Sequence, residues 1–142
     1  MKAEQIFSIV SSLAMLSWLM LIVLPGWRFT GKIVLSGAIP LLLSAAYLVL
    51  ILLFFGKADG GFDSLANVMK LFTNEWVVLA GWIHYLAFDL FVGSWEVRDA
   101  QAHGISHWFV IPCLLLTFFL GPIGFLLYHI LRLVLAKKEV SQ

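Results

Sequence analysis

The sequence predicts an all-α fold, a polytopic membrane protein built as a four-transmembrane-helix bundle. Of its 142 residues, 62% are hydrophobic and 12% charged, with a mean hydropathy of +1.00. Soluble domains are only about 45–50% apolar. The apolar residues gather in four stretches, 6–24, 33–55, 76–95 and 108–135, and a span needs about 20 residues. Runs such as Leu41-Leu42-Leu43 and Leu114-Leu115-Leu116 are continuous, whereas a membrane barrel alternates polarity along each strand.

The first stretch is longer than the apolar core of a secretory signal peptide and carries no small-residue cleavage pattern, so it is expected to be retained. No Arg-rich, Ser-rich transit segment precedes it. In the second stretch Pro40 removes an amide donor and crowds the carbonyl of Ser36, which predicts a kink. The connector that follows places Leu65, Val68, Met69 and Phe72 on one face after a cap at Asp63. It reads as a short interfacial helix over 64–72, or as a plain connector resting on the bilayer. The third stretch carries the densest polar content, and the fourth is expected to kink at Gly121-Pro122. The single Cys113 excludes an intrachain disulfide. There is no Walker pattern, other nucleotide motif or repeat, and no nucleic-acid partner is expected.

Four spans place both termini on one side, with Lys2, Lys57, Lys70, Arg132, Lys137 and Lys138 there and Arg28, Lys32 and Arg98 opposite. The positive-inside rule then favours cytoplasmic termini. Trp27, Trp95 and Trp108 fall near the outer interface in this register and Trp76 near the inner one.

The segment from Trp82 to Phe91 sets an imidazole, His84, and a carboxylate, Asp89, in otherwise apolar surroundings. A charge there costs about 2.5–3.5 kcal/mol even on lenient insertion scales, so such residues usually face a partner and mark function. Trp82, Asp89 and Glu96 recur every seven residues on one helical stripe, with Tyr85 one turn before Asp89. His84 lies about 140° round the helix from Asp89 and must look to another helix. Interhelical hydrogen bonds to Ser44, Tyr47, Thr117 or Tyr128 are the plain structural alternative. Beyond the span, Asp99, His103 and His107 recur every four residues. On one unbroken helix they form a divalent-metal half-site, which His84 or Asp89 can complete. Gly104 and a helix-starting Ser106 predict a break between the two histidines. The same loop also fits a solvated turn with a local Arg98 ion pair to Asp99 or Glu96.

Trp82, His84, Tyr85, Asp89, Gly93, Trp95 and Asp99, followed by Pro112, Gly121, Pro122, Gly124 and Tyr128, resemble the Abscisic Acid-Deficient-Four-like family of small membrane proteins. The likeness covers roughly residues 33–132, including Gly60-Gly61-Phe62. Plant members of that family are tied to neoxanthin formation from violaxanthin in plastid membranes. The resemblance therefore implies a carotenoid or other isoprenoid ligand. The compact chain is similar to the bacterial members, which implies a bacterial inner membrane.

Converting an epoxide end group to an allene with a hydroxyl is an isomerisation that needs an acid, a base and a dry pocket. His84, Asp89 and Asp99 are the catalytic candidates. A zinc or iron ion held by Asp89, Asp99, His103 and His107 is the metal-assisted version. Trp82, Tyr85, Phe88, Trp95, Trp108 and Tyr128 form an aromatic set that suits a rigid polyene, although belts and helix packing use the same residues. A non-catalytic carotenoid-binding or scaffold subunit is the alternative, and a proton or ion pathway through His84, Asp89 and Glu96 a third. Membrane lipids are the expected surroundings. The small-residue runs Ser36-Gly37-Ala38 and Ser44-Ala45-Ala46 permit a homo-oligomer contact or an internal one.

Overall fold

A computed structural model describes residues 2–136, and all of its regular elements are helical. In chain order these are α1 (Ala3–Val23), a π-helical segment (Thr30–Leu35), α2 (Ala38–Phe54), a 3-10 turn (Phe55–Lys57), α3 (Leu65–Leu71), α4 (Glu75–Ala102), α5 (His107–Leu120) and α6 (Pro122–Leu135). Three helices, Ala3–Val23, Ala38–Lys57 with the 3-10 turn, and Glu75–Ala102, are long and apolar enough to cross a membrane.

The 28-residue α4 is the axle of the molecule. Its start is capped by Asn74, whose side chain accepts from the amides of Trp76 and Val77, satisfying donors that lack intrahelical partners. α1 lies alongside it in parallel: Phe7 meets Trp82, the Trp82 indole donates to Ser11 Oγ at 3.0 Å, and Gln101 reaches the Pro25 carbonyl. α2 runs antiparallel, with Arg98 near its start bonded to the Leu35 carbonyl and Phe54 stacked on Trp76 at 4.3 Å near its end. Ala3, Phe54 and Glu75 thus mark a near end, and Val23, Ala38 and Ala102 a far end. Between them Trp18, Leu21, Leu43, Ile83 and Leu90 are buried to 2% exposure or less. Trp18 lies so close over Gly93 that a Cβ there would overlap the indole.

The second apolar stretch does not kink at Pro40. It breaks earlier, at Ser36 and Gly37, where Gly37 takes φ 84° between the π-helical segment and α2. Pro40 then falls in the first turn of α2, where an amide has no intrahelical carbonyl to reach in any case. In the connector, α3 covers Leu65–Leu71, and its cap is Ser64, which accepts from the Asn67 amide. Asp63 instead takes the Asn67 side chain.

The larger departure is at the C-terminal third. α5 and α6 have 14 residues each, about 21 Å of helix against an apolar thickness of about 30 Å. Gly121 turns the chain at φ 36° and ψ −89°, a region open to glycine, and Pro122 cannot donate to the Phe118 carbonyl. That carbonyl is taken by the Tyr85 hydroxyl at 2.8 Å. Gly124 packs directly on the backbone of Thr117 and Cys113, and Arg132 reaches back to Asp99 and His103. The segment expected as a fourth span is thus a helical hairpin that enters from the far end, turns beside Asp89 and returns.

Ala3 and Leu135 consequently lie at opposite ends of the bundle. The expectation of both termini on one side is corrected, and its charge count falls with it. Lys2, Lys57 and Lys70 stand at the near end against Arg28, Lys32, Arg98 and Arg132 at the far end, while Lys137 and Lys138 lie outside the described residues.

Candidate functional site

Three neighbouring features of α4 hold the polar and aromatic residues singled out above. The first is a buried carboxyl stripe facing the hairpin. Glu96 is completely buried; its Oε1 accepts from the Thr117 hydroxyl at 2.8 Å, and its Oε2 is buried without a partner among the described residues. Asp89, two turns away, abuts Gly121, where a Cβ would stand 2.9 Å from Oδ1; its Oδ2 is likewise buried and unpartnered among the described residues. Only a hairpin turn without a side chain fits over that carboxylate. The stripe expected through Asp89 and Glu96 is therefore closed by the fourth apolar stretch.

The second feature is a clasp at the far end. Asp99 Oδ2 accepts from Tyr128 Oη at 2.7 Å and from Arg132 Nε at 2.6 Å. Arg132 Nη2 also donates to His103 Nε2 at 2.9 Å, and His103 Nδ1 donates to the Asp99 carbonyl at 2.8 Å. Both contacts of His103 are met by one tautomer, with its proton on Nδ1. The charge pair and its hydrogen bonds tie α6 to α4. Asp99 is thus engaged in holding the hairpin rather than free for a reaction or a metal.

The metal set is divided as well. His107 turns away to the Ile22 carbonyl, 2.9 Å from its Nε2, and Asp89 lies deep beside Gly121. The break expected after His103 separates the two imidazoles. Among the described residues no group of three or more His, Cys, Asp or Glu side chains converges as a metal ion requires.

The third feature is a groove of about 560 Å³ at the near end, between α2, the connector and α4. Tyr47, Phe55, Phe62, Phe72, Trp82 and Tyr85 form its walls together with His84. Gly81 lets the connector in: Phe72 sits 3.1 Å from where a Cβ would be. His84 is exposed on this side, stacked on Phe88 at 4.7 Å and 5.5 Å from Tyr47. It makes no hydrogen bond among the described residues. His84 and Asp89 are therefore on different faces, as the 140° separation requires, and no second helix brings them together.

The aromatic set is scattered in the same way. Trp82 and Tyr85 line the groove and also a smaller one beside Phe118 at the hairpin turn. Phe88 faces a separate groove with Arg98. Trp95 packs edge-on to the buried Tyr128 and stacks with His129, while Trp108 is 80% exposed. Sequence reasoning missed Arg132 and the connector's Phe62 and Phe72. Arg132 did carry a signal, as the one charge in the apolar run 122–135 and one turn after Tyr128, matching the spacing of Asp99 and His103.

Against this geometry, the family model described as ABA DEFICIENT 4-like matches residues 5–128 of the chain. No curated protein and no solved structure matches it.

Proposed function

Because the chain belongs to the ABA4-like family, we propose that it is a membrane protein that binds a carotenoid or related isoprenoid in the near-end groove. The groove's aromatic lining carries this reading. Flat rings on α2, α4 and the connector offer faces to a conjugated, rigid chain, where stacking and dispersion act along its length. His84 is the one imidazole on the walls and can donate to an oxygen at a ligand's end. Trp82 gives the test, because its indole is fixed by Ser11 and borders the groove. Titration of the purified protein in liposomes with an epoxide-bearing xanthophyll should quench tryptophan emission saturably. Trp82→Phe should remove most of that quenching, whereas linear, non-saturating quenching in both proteins would contradict the reading.

A second reading, isomerisation of that ligand, is favoured by the unpartnered carboxyl oxygens of Asp89 and Glu96. In such a reaction one group delivers a proton to the epoxide oxygen as its C–O bond opens. Another removes a proton from the adjacent polyene carbon, whose electrons form the new double bond, so atoms balance without a co-reactant. Asp89 is the candidate for one of these roles; Tyr85, one turn before it on α4, borders the groove. His84, on the groove wall, is the candidate for the other. Asp89→Asn should abolish turnover of a bound epoxide while leaving the quenching titration intact; full turnover by that variant would remove Asp89 from the chemistry.

A further inference from the structure

A second groove, of about 320 Å³, lies at the far end of the seam between α2 and α4. Its floor is apolar, with Pro40, Leu41, Phe88 and Phe91, and its mouth carries Ser36 and Arg98. Arg98 uses Nη1 on the Leu35 carbonyl. Its other guanidinium nitrogens have no hydrogen bond, and it has no ion pair, among the described residues. No carboxylate lines the groove. Lys32, one turn before Ser36, and Arg28 also lack ion pairs among the described residues, so three cations at this end stand without a carboxylate partner there. α2 begins at the same mouth, and the positive end of its dipole adds to the guanidinium.

Arg98 stands one turn inside the end of α4, the depth at which a long cationic side chain meets lipid headgroups. We propose that this groove holds an anionic phospholipid, its phosphate on the free edge of the Arg98 guanidinium and an acyl chain along Leu41, Phe88 and Phe91. A planar guanidinium with two nitrogens open matches a phosphate better than a hydroxyl or an amine does. The site is separate from the aromatic groove and does not depend on what that groove binds.

The test is native mass spectrometry of the full chain released from nanodiscs of phosphatidylcholine with a minor share of phosphatidylglycerol. The wild-type protein should retain one phosphatidylglycerol in preference to phosphatidylcholine. Arg98→Gln, which keeps a donor for the Leu35 carbonyl, should lower that preference about fivefold, as expected for one cation near a headgroup. Arg98→Lys should keep most of it. Leu41→Trp, on an exposed face, should lower retention by filling the groove with every charge in place. The proposal is overturned by equal retention of the two lipids. It is overturned equally by an unchanged preference in Arg98→Gln, by unchanged retention in Leu41→Trp, or by displacement of the lipid with inorganic phosphate or a fatty acid alone.

Discussion

Asp99 receives its donors from two residues a single turn apart on α6, Tyr128 and Arg132, and so fixes both the depth and the rotation of that helix. Its side chain is only 12% exposed, so removing a donor strands a polar group at a cost of about 1–3 kcal/mol. Arg132→Gln and Tyr128→Phe should each lower the unfolding midpoint in detergent by an amount in that range. Lys57→Gln, at the opposite end, should leave the midpoint unchanged. Asp89 and Glu96 were legible in the sequence as polar groups on one helical stripe, because the cost of burying charge applies wherever the fold places them, whereas Asp99 was expected beyond the span and lies on α4 itself. Their partners were not legible. Thr117, Gly121 and Arg132 reach them across the hairpin, and the spacing along α4 holds no information about that. The divided metal set has the same origin, since an every-four-residue repeat binds as a unit only while the helix continues.

At the scale of the element, the hairpin of α5 and α6 depends on one contact without room. Gly124 meets the backbone of Thr117 and Cys113, which cannot move aside as a side-chain tip can, so a methyl group must push the two helices apart. Gly124→Ala should therefore destabilise the protein by about 1–3 kcal/mol or more and loosen the Asp99–Arg132 pair. Adding Arg132→Gln to Gly124→Ala should then lower the midpoint by less than Arg132→Gln does in the parent protein. The sequence marked the place, since Gly121-Pro122 interrupts the helix, but a kink and a reversal leave the same local trace. Capture of the freed Phe118 carbonyl by Tyr85 and the close packing at Gly124 are tertiary contacts, and they favour the reversal. α1, α2 and α4 were legible as elements because a continuous apolar run of spanning length leaves few alternatives, but the start of α2 at Ala38 and the end of α4 at Ala102 were not, since polar residues close a span without ending its helix.

The whole molecule is three long helices with a hairpin inserted from the far end, an arrangement that sets Ala3 and Leu135 apart. In a membrane, cysteines replacing Gln101 and Ala136 should be labelled from one side by an impermeant reagent, and one replacing Asp59 from the other. A bundle of four spans would group Ala136 with Asp59. Because the hairpin covers the carboxyl stripe from the far end, the large aromatic opening is left at the near end, where Phe62 and Phe72 of the connector complete it. The all-helical class and the concentration of buried polar residues on α4 followed from composition and periodicity. The groove did not, because half its walls come from α2 and a connector whose approach depends on Gly81 and Phe72. That this groove holds a polyene is tested most directly at Gly81, which lines it and where a leucine side chain, its Cβ 3.1 Å from the Phe72 ring, would take up space in the opening. Wild-type protein and Gly81→Leu should be purified in parallel from carotenoid-containing membranes and their bound lipids extracted and identified by mass spectrometry. A carotenoid or isoprenoid retained by the wild type and lost several-fold from a folded Gly81→Leu protein is the predicted result. Equal content in the two proteins, or none in the wild type, would contradict it.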